Sequence, residues 1–374
     1  MQRVSYLALV QDFDTMRSSI EIGRIMGIPI RLHITLLLVL PLFAYIFSTN
    51  EEFGFAGVPS ESLKYLLSFT ATVAIFLSIL IHELSHSAVA LRNGLEVKSI
   101  TLFLFGGLAS MEDIPKNPAF EFKMALYGPL ASLGIGLVML GIDRLLVALG
   151  YSVYHFFGIL GTINIVLFIF NMIPAFPMDG GRVLRAWFAS RMSYIEATRK
   201  AVTIGQVLAV VMGIFGLLPP TNLWLILIAF FIYIGASEEG KATEMTVPLV
   251  GVTVSDLMTG EVITVPAKMR VSEFVEMMLE RKHMGYPVVE DHKLVGVVSF
   301  TDVQKIPHEK REEFRVRDIM TRNIISVQEN DPAETALRLL FTHNIGHVLV
   351  MNKNQLVGIV SRTDVLRATQ ILGS

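Results

Sequence analysis

Residues 82–86 read His-Glu-Leu-Ser-His, and the seventeen residues before them, Tyr65 to Ile81, carry no charge. Two histidines four apart share one helix face, and the glutamate between them stands beside that face. This is the arrangement by which two imidazoles hold a zinc ion while a carboxylate relays protons for hydrolysis. Ionisable groups at the end of an apolar run are costly in a bilayer and mark function there. The chemistry expected is hydrolysis at a metal held below the lipid surface, with His82 and His86 as ligands and Glu83 as general base.

The elements that must position these groups are membrane helices. The chain has 374 residues, 52% of them hydrophobic and 17% charged, and a mean hydropathy of +0.57. A soluble domain carries roughly a quarter charged residues. The net charge of −2 gives no electrostatic footprint for nucleic acid. With no cysteine, thiolate ligands are excluded and any zinc must use His and carboxylate. Stretches near the ~20 apolar residues of a span fall at 32–49, 63–91, 120–149, 153–175, 201–218 and 221–236. The last two flank Pro219-Pro220 and read as a helical hairpin or as one interrupted element.

Six spans put both termini on one side, and basic residues choose the side. Segments sharing the N-terminal side carry Arg3, Arg17, Arg24 and Arg31, then Arg92, Lys98, Lys116 and Lys123, then Arg182, Arg185, Arg191, Arg199 and Lys200. The opposite loops hold Arg144, Lys64 at a span edge, and Glu51, Glu52 and Glu61. Both termini are therefore expected in the cytoplasm of a multi-pass cell-membrane protein. Residues 97–111, rich in β-branched and aromatic side chains and broken at Gly106-Gly107, read as a hairpin or short sheet at membrane depth. Such a piece must be shielded by helices or line a wet cavity.

A catalytic zinc takes three protein ligands and keeps one position open. The third ligand is sought where a membrane segment is unexpectedly polar. The stretch 171–181, NMIPAFPMDGG, ends the fourth span, and Asp179 is its only carboxylate. Pro174 and Pro177 break the helix, which at membrane depth suits a cavity. The alternative is that Asp179 only caps the helix that follows.

These motifs resemble the site-2 protease family of intramembrane metalloproteases, over about residues 20–236. HExxH is present as His82–His86. An NxxPxxPLDG-like stretch is present as Asn171, Pro174, Pro177, Asp179 and Gly180, with Met178 in place of the usual Leu. A Gly followed four residues later by a small or polar residue is present as Gly128 and Ser132. No room is seen for the PDZ domain that many bacterial members insert. The resemblance implies one Zn2+ on His82, His86 and Asp179, Glu83 as base, and Asn171 positioning the substrate carbonyl or its oxyanion. It implies cleavage of single-span membrane protein substrates within or near their transmembrane helix, that is, regulated intramembrane proteolysis.

Beyond Ala236 the composition turns polar and a repeat begins. Val254–Met258 matches Val316–Met320, Leu294–Gly296 matches Leu356–Gly358, and Thr301–Val303 matches Thr363–Val365, all offset by 62 residues. Repetition at a fixed period signals repeated structural units. The segment resembles a tandem pair of CBS domains. The resemblance implies an adenine nucleotide (AMP, ADP or ATP) contacted by Thr301, Asp302, Thr363 and Asp364, and a homodimer formed through the pair. The bland reading is that these Thr and Asp residues cap the helices that follow each strand.

The fold class expected is a polytopic α-helical membrane protein, with about six transmembrane helices and a small membrane-associated β element, plus a soluble α/β tandem CBS domain. The boundaries expected are 1–236 for the protease domain, 237–252 for a linker and 253–374 for the tail, with repeats at about 253–312 and 315–370. The competing class is a CBS-containing transporter or channel, whose pore also needs intramembrane charge but has no use for HExxH with a distant Asp.

Overall fold

The computed structural model describes residues 18–103, 106–111, 116–151, 154–291, 293–353 and 355–372. Arg3, Arg17 and His292 lie outside them. The chain divides into two units, 11–241 and a second that holds 242–374.

The first unit begins with a sheet larger than the hairpin expected at 97–111. Strands β1 (Ser19–Ile25) and β2 (Ile28–His33) join β3 (Val97–Phe103) and β4 (Gly106–Met111) in the order β1-β2-β3-β4. The β1–β2 connection is the two residues Met26 and Gly27, at φ 55° and 82°. Positive φ at both positions gives the turn whose twist matches a hairpin. β2 pairs with β3 in parallel. The crossover between them is two helices, α1 (Ile34–Thr49) and α2 (Glu61–Arg92).

α2 carries the HExxH motif. Its 32 residues contain no Gly or Pro. Ser60 caps its N-terminus by accepting from Leu63 N, Glu61 and Arg92 complement the dipole at its two ends, and Gly94 at φ 79° follows the stop. Leu80 and Ala90 pack with Ile28, Ile30, Val97, Ile100 and Leu102, so the sheet is fastened to the motif helix by a shared core.

The remaining helices are α3 (Pro118–Ala148), α4 (Phe156–Asn171), α5 (Asp179–Ala189), α6 (Tyr194–Leu217) and α7 (Leu223–Thr246). Among the described residues, four helical stretches could cross a membrane by length and composition: Glu61–Arg92, Pro118–Ala148, Tyr194–Leu217 and Leu223–Leu249. Two expected spans are shorter than read from sequence. α1 starts only after β2 ends at His33, and α4 stops at Asn171, ahead of Pro174. At 16 residues each they reach ~24 Å. The fifth expected span instead begins early, at Tyr194, because Ser193 and Glu196 form a capping box. α6 and α7 are separate antiparallel helices: Gln206 Nε2 donates to Ser237 Oγ at 2.9 Å, and Gly216 stands against Ile226.

The second unit holds two three-stranded sheets. β5 (Val265–Pro266), β6 (Gly285–Glu290) and β7 (Lys293–Ser299) form one, and β8 (Ser326–Gln328), β9 (His347–Asn352) and β10 (Gln355–Ser361) the other. Each has one parallel and one antiparallel pairing, in matching registers. The segments leading into the repeats are exchanged. Val254 is buried in the core of the second repeat with Val348 and Val360. Val316 is buried in the core of the first with Val288 and Val298. Gly358 meets Met258 and Gly296 meets Met320 in the same reciprocal way. Neither repeat has a complete core without the other.

Candidate metal centre

Along α3, Met124, Gly128 and Ser132 lie one turn apart on a single face. Against that face lie the two histidines of α2. His82 Nδ1 is 2.9 Å from Ser132 Oγ, and His86 Nδ1 is 2.6 Å from the carbonyl oxygen of Met124. Gly128 leaves the space between: a Cβ there would stand 2.8 Å from His82 Nε2 and closer still to His86 Nε2. A carbonyl only accepts, so Nδ1 of His86 carries the proton and Nε2 of the neutral ring presents a lone pair. Both histidines are buried.

Asp179 reaches the same point from the far side. The helix begins at Asp179 itself, its cap residue Met178 makes no side-chain cap bond, and Asp179 Oδ2 lies 3.2 Å from both His82 Nε2 and His86 Nε2. Asp179 is therefore not spent as a cap. The glycines after it permit the approach: a Cβ on Gly181 would fall 2.6 Å from Phe176 N, and one on Gly180 2.6 Å from Met172 O. The loop broken by Pro174 and Pro177 thus packs directly under the first turn of α5.

The two Nε2 atoms are also 3.2 Å apart. Three electron-pair donors forming an equilateral triangle repel one another unless a cation sits among them. A tetrahedral zinc with bonds of about 2.0–2.1 Å keeps its donors ~3.3 Å apart. The donor set, two imidazoles held by outer hydrogen bonds and one carboxylate, is also one that zinc accepts. Among the described residues, His82, His86 and Asp179 are the group of potential ligands that converges in this way.

Glu83 is half-buried on α2, and its carboxylate accepts no hydrogen bond from the described residues. Gly107 of β4 lies against it: a Cβ on Gly107 would be 3.0 Å from Glu83 Cδ and 3.2 Å from Oε1. Asn171 ends α4, and its amide donates to the carbonyl of Leu167 in its own helix at 2.9 Å. It makes no hydrogen bond with the His–Asp cluster. The sequence reading did not find Met124, whose contribution is a backbone oxygen, nor Gly107.

In the tail, Asp302 and Asp364 each cap a helix, α10 (Phe300–Gln304) and α13 (Arg362–Leu372), α8, α9, α11 and α12 being Val254–Leu257, Val271–Arg281, Val316–Ile319 and Ala333–Thr342. Oδ2 of Asp302 accepts from Ser299 N and Oγ, and Oδ2 of Asp364 from Ser361 N and Oγ. The second oxygen differs between the repeats. Asp302 Oδ1 accepts from Lys305 Nζ at 3.0 Å, whereas Asp364 Oδ1 takes no hydrogen bond from the described residues. Thr301 and Thr363 are exposed.

Comparison with known proteins places these features. Residues 70–150 and 144–215 match peptidase family M50, and 254–309 and 316–370 match the CBS domain. The chain is 36% identical to zinc metalloprotease MJ0392 of Methanocaldococcus jannaschii, over 96% of this chain and 98% of that one. The chain belongs to peptidase family M50. It is also 30% identical to the putative zinc metalloprotease Rip3 of Mycobacterium tuberculosis, over 95% of this chain and 94% of that one. A solved site-2 protease from Methanocaldococcus jannaschii is 37% identical, covering 59% of this chain and 95% of that chain, with a TM-score of 0.42. As an M50 peptidase of the site-2 type with a CBS pair, the protein is an intramembrane zinc metalloprotease. The transporter and channel alternative falls away.

Proposed function

We propose that His82, His86 and Asp179 hold the zinc and that Glu83 is the general base for hydrolysis of a peptide bond in a single-span membrane protein substrate. The observation that carries this reading is the triangle of Nε2, Nε2 and Oδ2 at 3.2 Å on each side. Zinc, when bound, supplies Lewis acidity that makes water a nucleophile near neutral pH and polarises a carbonyl. The chain's own groups do the rest. Ser132 and the Met124 carbonyl hold each imidazole with Nε2 facing inward. Glu83, which no donor among the described residues engages, takes the proton from the attacking water and passes it to the leaving amine. Asn171, once its amide turns from the Leu167 carbonyl, donates to the developing oxyanion.

A substrate helix has its amides internally bonded and must unwind before attack. β4 is an edge strand of the sheet and lies against the base, so an unwound segment can extend the sheet there. Crosslinks from an extended substrate should then reach residues 97–111; their absence refutes this step.

Six crossings, with both termini cytoplasmic, complete the reading, and the two 16-residue helices make up the count. Supporting this, Arg185 of α5 donates both to Glu121 at the start of α3 and to Glu239 near the end of α7. Six crossings put these three segments on the same side. Within this reading the protease region is 1–236, the linker 237–252 and the tail 253–374. For the tail we propose an adenine nucleotide at Thr301, Asp302, Thr363 and Asp364, and dimerisation through the CBS pair; the support is the CBS family match of both repeats.

The test joins metal analysis to cleavage of a single-span substrate. The parent should bind one zinc per chain and cleave. Glu83→Gln should keep zinc and lose cleavage by ~100-fold or more, and Asp179→Asn should lose both. Cleavage by Glu83→Gln at the parent rate would refute the assignment.

A further inference from the structure

Arg185 lies six residues beyond Asp179 on the same short helix and is 5% exposed. The sequence counts it among the cytoplasmic-side cations; the structure buries it because four chain segments close around it. Its Nε and Nη2 donate to Glu121 Oε1 at 2.7 and 2.5 Å. Its Nη1 donates to Glu239 Oε1 at 2.6 Å. The guanidinium carbon stands over the Phe176 ring at 4.8 Å and the Tyr194 ring at 4.9 Å. Glu121 is on α3, Glu239 on α7, Tyr194 on α6, and Phe176 in the loop that leads into Asp179.

Burying such a group of charges is a poor route to stability, since apolar residues of the same volume do as well or better. What it supplies is orientation. A guanidinium is a rigid planar fork, and bonds along two of its edges with rings on its faces fix its plane. α5 needs such a fix. It has 11 residues, it follows a loop broken by two prolines, and its first residue is the one that faces His82 and His86.

We propose that Arg185 is a positioning residue of the metal centre. Held between Glu121 and Glu239, it sets the rotation of α5 and so the placement of Asp179 Oδ2 against the two imidazoles. The inference rests on the reading of Asp179 as a ligand. It also makes the setting of α7 an input to the metal site, through Glu239 and Arg185.

The experiment uses the full chain in detergent, with Co2+ in place of zinc so that ligand geometry is read from visible absorption. Metal affinity is read by chelator competition, and kcat and KM with a single-span substrate. Glu239→Gln keeps the Glu121–Arg185 bond and the side-chain size; Arg185→Lys keeps the charge and loses the fork. Both should shift the Co2+ bands, weaken metal binding about 3- to 10-fold and lower kcat with little change in KM. Should Arg185→Lys not fold, Glu239→Gln decides. Parent-like bands and affinity in folded Glu239→Gln overturn the proposal. Parent-like bands and affinity in Asp179→Asn would instead overturn the ligand reading beneath it.

Discussion

The backbone of Gly128 occupies the gap between the two imidazoles: a Cβ on it would stand 2.5 Å from His86 Cε1 and 2.8 Å from His82 Nε2. Backbone-to-ring contact of this kind tolerates no side chain. Gly128→Ala is expected to drive both rings off their hydrogen bonds and reduce bound zinc to less than about a tenth of an ion per chain. Metal analysis of the purified variant checks it, and full occupancy would contradict the packing described.

Gly107 stands against Glu83, the proposed base, and not against the proposed ligands. Gly107→Ala should therefore separate the two functions that Gly128→Ala loses together. Zinc content should stay at the parent value, while kcat falls ~10- to 100-fold because Glu83 is displaced from its productive position. Single-turnover cleavage alongside metal analysis reads both.

Ser132 orients His82 through Nδ1 at 2.9 Å. Ser132→Ala leaves the ligand present but free to rotate. Zinc affinity should drop ~10- to 100-fold, measured by chelator competition, with cleavage restored by excess zinc. Failure of excess zinc to restore it would assign Ser132 a role beyond orientation.

In the tail, burial pushes His347 below its ordinary value of 6.5, with Asp364 opposing and His283 acting in the same direction as burial. The folded state thus keeps this ring neutral where the unfolded chain takes a proton. Its contribution to stability is present above the unfolded value and is lost as pH falls through about 6.5 toward the folded value. The tail transition of the full-length protein should melt earlier at about pH 5.5 than at about pH 7.5, and His347→Gln should reduce that difference. An unchanged difference in the variant would place the sensitivity elsewhere.

The two carboxylates proposed for the nucleotide are not equivalent, since Lys305 occupies Asp302 Oδ1 and nothing described occupies Asp364 Oδ1. Asp364→Asn should weaken AMP binding about tenfold, the loss of roughly one charge-assisted hydrogen bond. Asp302→Asn should cost about twofold or less. Calorimetric titration of the full chain with AMP distinguishes them, and equal losses would contradict the asymmetry.

What the sequence displayed of this site followed from side-chain chemistry. His82, Glu83, His86 and Asp179 are types that zinc hydrolysis demands, at spacings and in apolar surroundings that leave few other uses for them. Ser132 was named beside Gly128 through the family resemblance alone, since a serine four residues after a glycine has no distinctive chemistry of its own. The Met124 carbonyl could not, because every residue has one, and only the packing of α3 on α2 selects it. Arg185 was legible as a topology marker and illegible as a buried group, because its partners lie 64 and 54 residues away. The hairpin Ser19–His33 was missed although Ile20, Ile22, Ile28 and Ile30 alternate through it. Its turn is Met26-Gly27, and Met gives none of the usual signal for positive φ. The 62-residue repeat located the tail sheets, but the exchange of Val254 and Val316 between cores leaves no trace in a linear pattern.

The parallel pairing of β2 with β3 makes the motif helix part of the crossover, so sheet and base form a single body. A polypeptide laid along the rim of β4 would have its residues indexed by ladder hydrogen bonds, and Gly107 fixes which rung stands next to Glu83. If substrates add there as proposed, the cut site would be set by counting along a strand, much as a ruler does, with wide tolerance for the side chains flanking the broken bond.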